Sequence, residues 1–139
     1  MSSVFFTDRD LGKQFPQILQ QGGLTVERHS DHFADNTPDE DWLEEVGRRG
    51  WIALTHNLRI RYQPNERDAV IRHGVALLVM VGNAPYPALA RSFVNTLPHI
   101  EDFLGRHRPP FIAKVYRPTP TELARSVTAI GRVELWHPR

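Results

Sequence analysis

Hydrophobic positions in this chain form short continuous runs that are separated by stretches with helical spacing. Continuous runs of this length are typical of strands that are buried on both faces. Alternating apolar and polar positions predict a further strand near a sheet edge at 24–29. The runs cover residues 3–7, 51–55, 75–81 and 111–116, and the helical stretches cover 11–21, 38–49, 64–73 and 86–106.

Strand and helix signals alternate along the sequence in the order βαβαβαβαβ. This order predicts an α/β fold of three layers, αβα, with a mostly parallel central sheet and right-handed crossovers. The length of 139 residues fits one domain over residues 1–139. The segment 118–139 is predicted to be a C-terminal extension with a polar turn, a short helix near 122–125 and a strand near 132–136.

Local signals predict where several elements begin and end. Thr37 is a suitable N-cap, Pro38 suits the first helical position, and Glu40 completes a capping box with Thr37. Residues 30–36 are polar and are predicted to be a loop. Pro98 lies inside the last long helical stretch and is expected to kink or split it.

The overall composition is that of a soluble globular protein, with 40% hydrophobic and 24% charged residues. We expect neither a transmembrane helix nor a signal peptide, and no membrane partner. The absence of cysteine excludes disulfides and thiolate metal sites and fits a cytoplasmic location. The net charge is only +1, but acids concentrate in 31–45 and bases in 59–72 and 106–117. A local basic face can bind nucleic acid in a nearly neutral protein.

Three polar side chains occur where the predicted elements meet one sheet edge. Asp8 ends the first strand, Asp39 lies near the start of a helix, and Asn57 follows the third strand. Ligands in α/β domains collect at the carboxyl ends of parallel strands. Converging carboxylates there predict a site for Mg²⁺ or Mn²⁺ of the kind used in phosphodiester chemistry.

Each of these residues also has a plainer interpretation. Asp8 is equally well explained as a cap, Asp39 as an acid that favours the helix dipole, and Asn57 as a turn residue. Asp41 is expected to point further round the helix. Thr55 is either an ordinary β-branched strand residue or the group that orients a carboxylate or a metal-bound water. Only the combination indicates a site.

Four basic residues follow the candidate acids along the chain and are suited to holding phosphates on either side of the site. Taken singly, each is better explained as a surface base. They are Arg9, Lys13, Arg59 and Arg61.

The segments that carry these residues resemble a known family, the PIN-like domains, and within it the VapC-type toxins. The resemblance covers roughly residues 4–117 and does not include the tail from Pro118 onward. The matching segments are 5–13, 31–33, 37–42, 50–55 and 109–117.

The resemblance implies a metal-dependent ribonuclease fold with acids clustered at the carboxyl ends of the central strands. Asp8 matches the first metal-binding acid and Asp39 the acid that begins the second helix. Asn57 departs from the family pattern, which has an aspartate there; an amide oxygen can bind a metal but carries no charge. A further acid sometimes found after the fourth strand is replaced by Gly82-Asn83. Asp10 would compensate if it turned inward.

Two functions follow from this resemblance. The first is a Mg²⁺- or Mn²⁺-dependent endoribonuclease that acts on RNA as the toxin of a VapBC-type pair, with a small antitoxin protein and a second copy of the chain as partners. The second is a catalytically weakened scaffold that binds RNA or a protein. The helix over 86–106 is the first surface to test for dimer or antitoxin contacts. A phosphoacceptor receiver shares the alternating fold and Lys114, but the third strand of this chain ends in Thr55 instead of an aspartate.

Overall fold

A six-stranded sheet runs through the centre of the protein in the computed structural model, which describes residues 3–138. Met1, Ser2 and Arg139, which the predicted domain includes, lie outside the described residues. The strands are β1 (Val4–Thr7), β2 (Thr25–Arg28), β3 (Ile52–Thr55), β4 (Ala76–Val81), β5 (Phe111–Tyr116) and β6 (Arg132–His137).

Helices connect the strands and cover both faces of the sheet. Two short 3₁₀ segments, the Arg9–Leu11 turn and the Leu58–Tyr62 turn, follow β1 and β3. The α-helices are α1 (Gln14–Gln21), α2 (His29–His32), α3 (Asp39–Arg49), α4 (Pro64–Arg72), α5 (Tyr86–Arg106) and α6 (Pro120–Arg125).

The strand order is β2-β1-β3-β4-β5-β6, and all neighbours are parallel except β5 and β6, which are antiparallel. The predicted three-layer αβα class with a mostly parallel sheet is therefore confirmed, and β2 lies at an edge as its alternating pattern predicted. Parallel pairing places the carboxyl ends of β1, β3, β4 and β5 at one edge of the sheet.

Alternate residues of each strand supply two separate cores. Phe5 faces a core shared with Phe15 of α1 and Phe93 of α5, whereas its neighbour Phe6 faces Trp42 of α3 on the other side. We call these the α1/α5 face and the α3/α4 face. The apolar stripe of α5 is therefore core, and so is Trp42.

The predicted start of α3 is wrong by one residue. Pro38 is the N-cap, with extended backbone, and no side chain caps the helix. Thr37 thus lies outside the helix and its capping box with Glu40 does not form. Asp39 becomes the first helical residue, and α3 ends at Gly50 as predicted, with Gly50 in the left-handed conformation.

A second local prediction also needs correction. The predicted loop 30–36 overlaps α2, whose first residue His29 is buried against Phe6, Phe33 and Trp42. This burial is tertiary and leaves no periodic signal in the sequence.

The long helix α5 continues through Pro98 without being split. Nearby, the Thr96 hydroxyl donates to the Ser92 carbonyl at 2.7 Å. None of the helices within residues 3–138 combines the length and apolar character that a membrane span requires.

Candidate active site

Asp8 lies directly after β1, and its two carboxylate oxygens have different hydrogen-bond partners. Its backbone N–H donates to the Leu54 carbonyl at 2.9 Å, which ties the end of β1 to β3. Its Oδ1 accepts from Arg9 N–H at 2.8 Å and begins the Arg9–Leu11 turn. Its Oδ2 accepts from the Thr55 hydroxyl at 2.9 Å. The cap interpretation is therefore confirmed for Oδ1, while Oδ2 is held by the Thr55 hydroxyl and its role in a site stays a prediction.

The Arg9–Leu11 turn brings a second carboxylate back to the same hydroxyl. Asp10 Oδ2 lies 3.1 Å from Thr55 Oγ1, and the same oxygen accepts from the His56 backbone N–H at 3.1 Å. Thr55 is fully buried and Asp8 is only 7% exposed. Asp10 thus takes the inward position that the sequence left as a hypothesis.

The two carboxylates are held in an environment that disfavours their charges. Burial, and after it the charge of Asp10, raises the pKa of Asp8 to about 7. Burial also raises the pKa of Asp10, while its hydrogen bonds from Thr55 and His56 oppose the shift. Neighbouring acids that are shielded from water in this way retain a proton or take up a cation.

Asp39 lies near this pair, but its carboxylate is held by a residue of its own helix, Trp42 of α3. Its Oδ1 accepts from the Trp42 indole N–H at 2.9 Å, which fixes the carboxylate at the start of α3. Its charge contributes to the raised pKa of both Asp8 and Asp10. The next acid but one, Asp41, is exposed.

The donor set suits a cation that is only partly enclosed by protein. Among residues 3–138, no three His, Cys, Asp or Glu side chains are gathered closely enough to enclose a metal ion. Mg²⁺ is commonly held by one or two carboxylates, with water and substrate phosphates completing its octahedron. One buried and one half-buried carboxylate, with a third acid nearby, fit this mode of binding.

Asn57 is at the predicted edge, but its side chain is engaged in its own turn. Its Oδ1 accepts from Arg59 N–H at 3.0 Å and caps the Leu58–Tyr62 turn. Its backbone N–H donates to Thr55 Oγ1 at 3.2 Å. The amide oxygen is thus directed to the backbone of its own turn, as the turn interpretation predicted.

His56 belongs to the site although the sequence reasoning passed over it. Besides its backbone bond to Asp10, its Nε2–H donates to the Gly82 carbonyl at 2.8 Å, and its ring meets the Tyr86 ring edge-on at 5.9 Å. With Asn83, Ala84 and Pro85, these two rings line a shallow depression. Its position directly after Thr55, at a strand end, is the only signal that the sequence offers.

The four predicted phosphate-binding bases have different surroundings. Arg9, Lys13 and Arg59 are exposed, which leaves their charged groups accessible to a ligand. Arg61 is half-buried, and its guanidinium lies 5.3 Å from the ring centroids of both Tyr62 and Trp136. Arg61 is therefore part of a second feature, described below.

Comparison with known proteins identifies the fold family. Searches against curated proteins and against solved structures give no match. A family model described as a PIN like domain matches residues 3–82, more than half of the chain, and this range contains Asp8, Asp10, Asp39 and Thr55. The chain therefore belongs to the PIN-like domain family, whose members are generally nucleases.

Proposed function

We propose that this PIN-like protein is a Mg²⁺- or Mn²⁺-dependent endoribonuclease. One observation carries the proposal: Asp8 and Asp10 converge on the Thr55 hydroxyl at the carboxyl edge of the sheet, although burial disfavours their charges. A divalent cation bound there would stabilise both acids in their ionised forms.

The side chains have distinct tasks in this proposal. A bound divalent cation would lower the pKa of a water and neutralise charge on the scissile phosphate. Asp8 and Asp10 hold that cation, and Thr55 keeps their oxygens in place. Asp39, oriented by Trp42, adds negative charge near the pair. The exposed Arg9, Lys13 and Arg59 bind phosphates on either side.

The test is cleavage of a mixed RNA pool by the purified protein with Mn²⁺, with Mg²⁺ and with EDTA. We expect metal-dependent cleavage that falls at least about 100-fold in Asp8→Asn and Asp10→Asn, because the amide carries no negative charge with which to hold the divalent cation. Asp39→Asn should lower activity, whereas Asp41→Asn, in the same helical turn but exposed, should retain it.

Asp68→Asn is the matched control, because Asp68 is an exposed acid of α4. Full activity of Asp8→Asn in Mn²⁺, with the protein folded, would contradict the proposal. So would an equal loss of activity in Asp68→Asn.

We further propose that the protein is a VapC-type toxin of the cytoplasm, paired with a small antitoxin and able to form a homodimer. The resemblance of segments 5–13, 37–42 and 50–55 to that branch supports this assignment. The apolar stripe of α5 is buried in the core, so partners would meet its polar outward face. Growth arrest on expression of the wild type, absent with Asp8→Asn, is the expected result; normal growth with active enzyme would contradict the toxin role.

The position of Asn57 favours a second candidate, a scaffold that binds RNA without cutting it. Its Oδ1 caps the Leu58–Tyr62 turn and does not meet the carboxylates. This candidate predicts RNA binding by the wild type with a steep salt dependence and no cleavage. Cleavage that appears only in Asn57→Asp would identify a silenced nuclease.

A further inference from the structure

A second chemically distinctive surface lies where the Leu58–Tyr62 turn meets β5 and β6. All but one of the cation–π pairs among residues 3–138 are found there. Such pairs normally occur about once in 70–80 residues, so their concentration in one place is unusual. We call this surface the cation–aromatic face; it consists of Arg61, Tyr62, Lys114, Tyr116, Arg132 and Trp136.

Trp136 is the buried member of the cation–aromatic face, and Lys114, Arg61 and Tyr62 pack around its ring. It is only 5% exposed, and the Lys114 ammonium lies 4.2 Å from its ring centroid. The Arg61 guanidinium lies at 5.3 Å, and the Tyr62 ring stands edge-on to the indole at 5.7 Å and 85°. The buried indole thus holds two cations and one tyrosine in fixed positions.

The outer groups of the face are accessible. Tyr62 is 64% exposed, the highest exposed fraction of any Phe, Tyr or Trp side chain among residues 3–138. The Arg132 guanidinium lies 4.1 Å from the ring centroid of Tyr116, and its side chain is more than half exposed. A ligand would therefore meet an aromatic ring and a flat guanidinium, both of which stack on nucleobases.

Two of the three cations of this face, Arg61 and Lys114, lack the counter-charges that a purely structural cluster would contain. Within residues 3–138, neither Arg61 nor Lys114 has a carboxylate within salt-bridge distance. Glu134 pairs with Lys114 across the strands, but its carboxylate lies 3.8 Å from Arg132. Arg61 Nε is buried and has no acceptor. An anionic ligand would supply a counter-charge for Arg61 and Lys114.

The cation–aromatic face and the acid pair share one side of the sheet. Thr55 pairs in register with Val79, and Val79 with Lys114. Partners in register point to the same face, here the α3/α4 face. At about 4.8 Å between strands, the Thr55 and Lys114 backbones lie roughly 10 Å apart. About three stacked nucleotides, each rising roughly 3.4 Å, span that distance.

We propose that the cation–aromatic face binds single-stranded RNA that passes the acid pair. Bases stack on Tyr62 and Tyr116, while Arg61, Lys114 and Arg132 hold the phosphates. Every base offers a π-face, so this mode of binding tolerates any sequence and prefers single strands to duplexes. The choice of RNA rests on the proposed function. Most of the face lies beyond the residues matched by the family, which gives the segment 111–137 a role in substrate binding.

Fluorescence anisotropy with a labelled single strand of about 12 nucleotides tests the proposal, a length within the usual range of such sites. EDTA keeps the strand intact. Tyr62→Leu should weaken binding roughly tenfold, while Tyr62→Phe should bind like the wild type, because stacking requires the ring and not the hydroxyl. Lys114→Gln should also lower the slope of log K against log salt by about 0.7, the value for one phosphate contact on a single strand.

Arg106→Gln is the matched control for charge, since Arg106 is an exposed base at the far end of α5. A duplex of the same sequence should bind more weakly than the single strand. Equal binding by wild type and Tyr62→Leu, or a slope unchanged by Lys114→Gln, would overturn the proposal.

These results are separable from those of the nuclease test. Cleavage that requires Asp8, combined with normal RNA binding by Tyr62→Leu, would support the nuclease function and contradict RNA binding by the cation–aromatic face. Absence of cleavage, combined with weakened binding by Tyr62→Leu but not by Tyr62→Phe, would contradict the nuclease function and support RNA binding by the cation–aromatic face.

Discussion

Thr55 has a single hydroxyl hydrogen and faces two carboxylates. Its Oγ1 lies 2.9 Å from Asp8 Oδ2 and 3.1 Å from Asp10 Oδ2, and it also accepts from Asn57 N–H. The hydroxyl can donate to only one carboxylate at a time. In the metal-free protein the second contact is satisfied when that carboxyl keeps a proton, in agreement with the raised pKa of both acids.

Thr55→Val should therefore lower metal-dependent cleavage by roughly tenfold or more, because a hydrogen bond to a charged group contributes about 1.5–3 kcal/mol. Thr55→Ser keeps the donor and should retain most activity. The measurement is kcat/KM on a defined RNA in Mn²⁺, with circular dichroism to confirm folding. Equal activities of the valine and serine variants would show that the hydroxyl does not matter.

Asp8 also predicts how the stability of the metal-free protein changes with pH. Its pKa is raised from 3.8 to about 7, so the folded state holds its proton more tightly than the unfolded state. The stabilisation is complete below pH 3.8 and is lost as the pH rises through about 7. Asn resembles the neutral carboxyl, and Asp8→Asn should therefore gain stability relative to wild type as the pH rises.

The gain should be on the order of 2 kcal/mol between about pH 5 and about pH 8, from urea unfolding in EDTA. Using the difference between variant and wild type removes the contribution of other titrating groups. Asp68→Asn should show no such change. A gap that stays constant over this pH range would contradict the buried, protonated state of Asp8.

At the scale of elements, the contact between α3 and α4 requires a glycine in the middle of α3. A Cβ at Gly47 would overlap the carbonyl oxygen of His73, which follows α4. Gly105, in the last turn of α5, has open space at the same position. The two helical glycines thus serve as a matched pair.

Gly47→Ala should destabilise the protein by about 1–3 kcal/mol, because overpacking outweighs the better helix propensity of alanine. Gly105→Ala should be neutral or stabilising by up to about 1 kcal/mol. Urea unfolding at one pH compares them. If Gly47→Ala were as stable as Gly105→Ala, the close approach of the two helices would be refuted.

At the scale of the whole molecule, the last strand completes both the sheet and the cation–aromatic face. β6 covers the edge of β5 in antiparallel register and inserts Trp136 into the core of the α3/α4 face. Gly131, just before β6, packs so close to the Tyr116 carbonyl that no Cβ would fit. The segment after residue 117 is therefore integrated into the fold.

A chain that ends at residue 117 should lose at least about 3 kcal/mol, the cost of removing one large buried aromatic side chain. It should also associate through the exposed edge of β5. Calorimetry and light scattering measure the two effects. Val127→Ser, which alters a side chain that is 85% exposed, is the control and should leave both unchanged. A truncated chain with wild-type stability would mean that β6 is dispensable.

Periodicity by itself determined the number and order of the main elements, the mostly parallel sheet and the edge at which Asp8 and Thr55 lie. These features follow from strand and helix periods and from the connection rules, which depend on local composition. The interpretation of Asp8 as a cap was also available from the sequence and is confirmed, while its role as a site residue stays a prediction.

Only the tertiary structure decided how the side chains at that edge are used. The inward turn of Asp10 depends on Thr55 and His56, which lie 45 and 46 residues away in the sequence. The burial of His29 against Phe6, Phe33 and Trp42 is likewise a tertiary effect. The antiparallel β6 and the gathering of cations around Trp136 required β5 to pair with β6 across the 15 intervening residues 117–131, which no local pattern records.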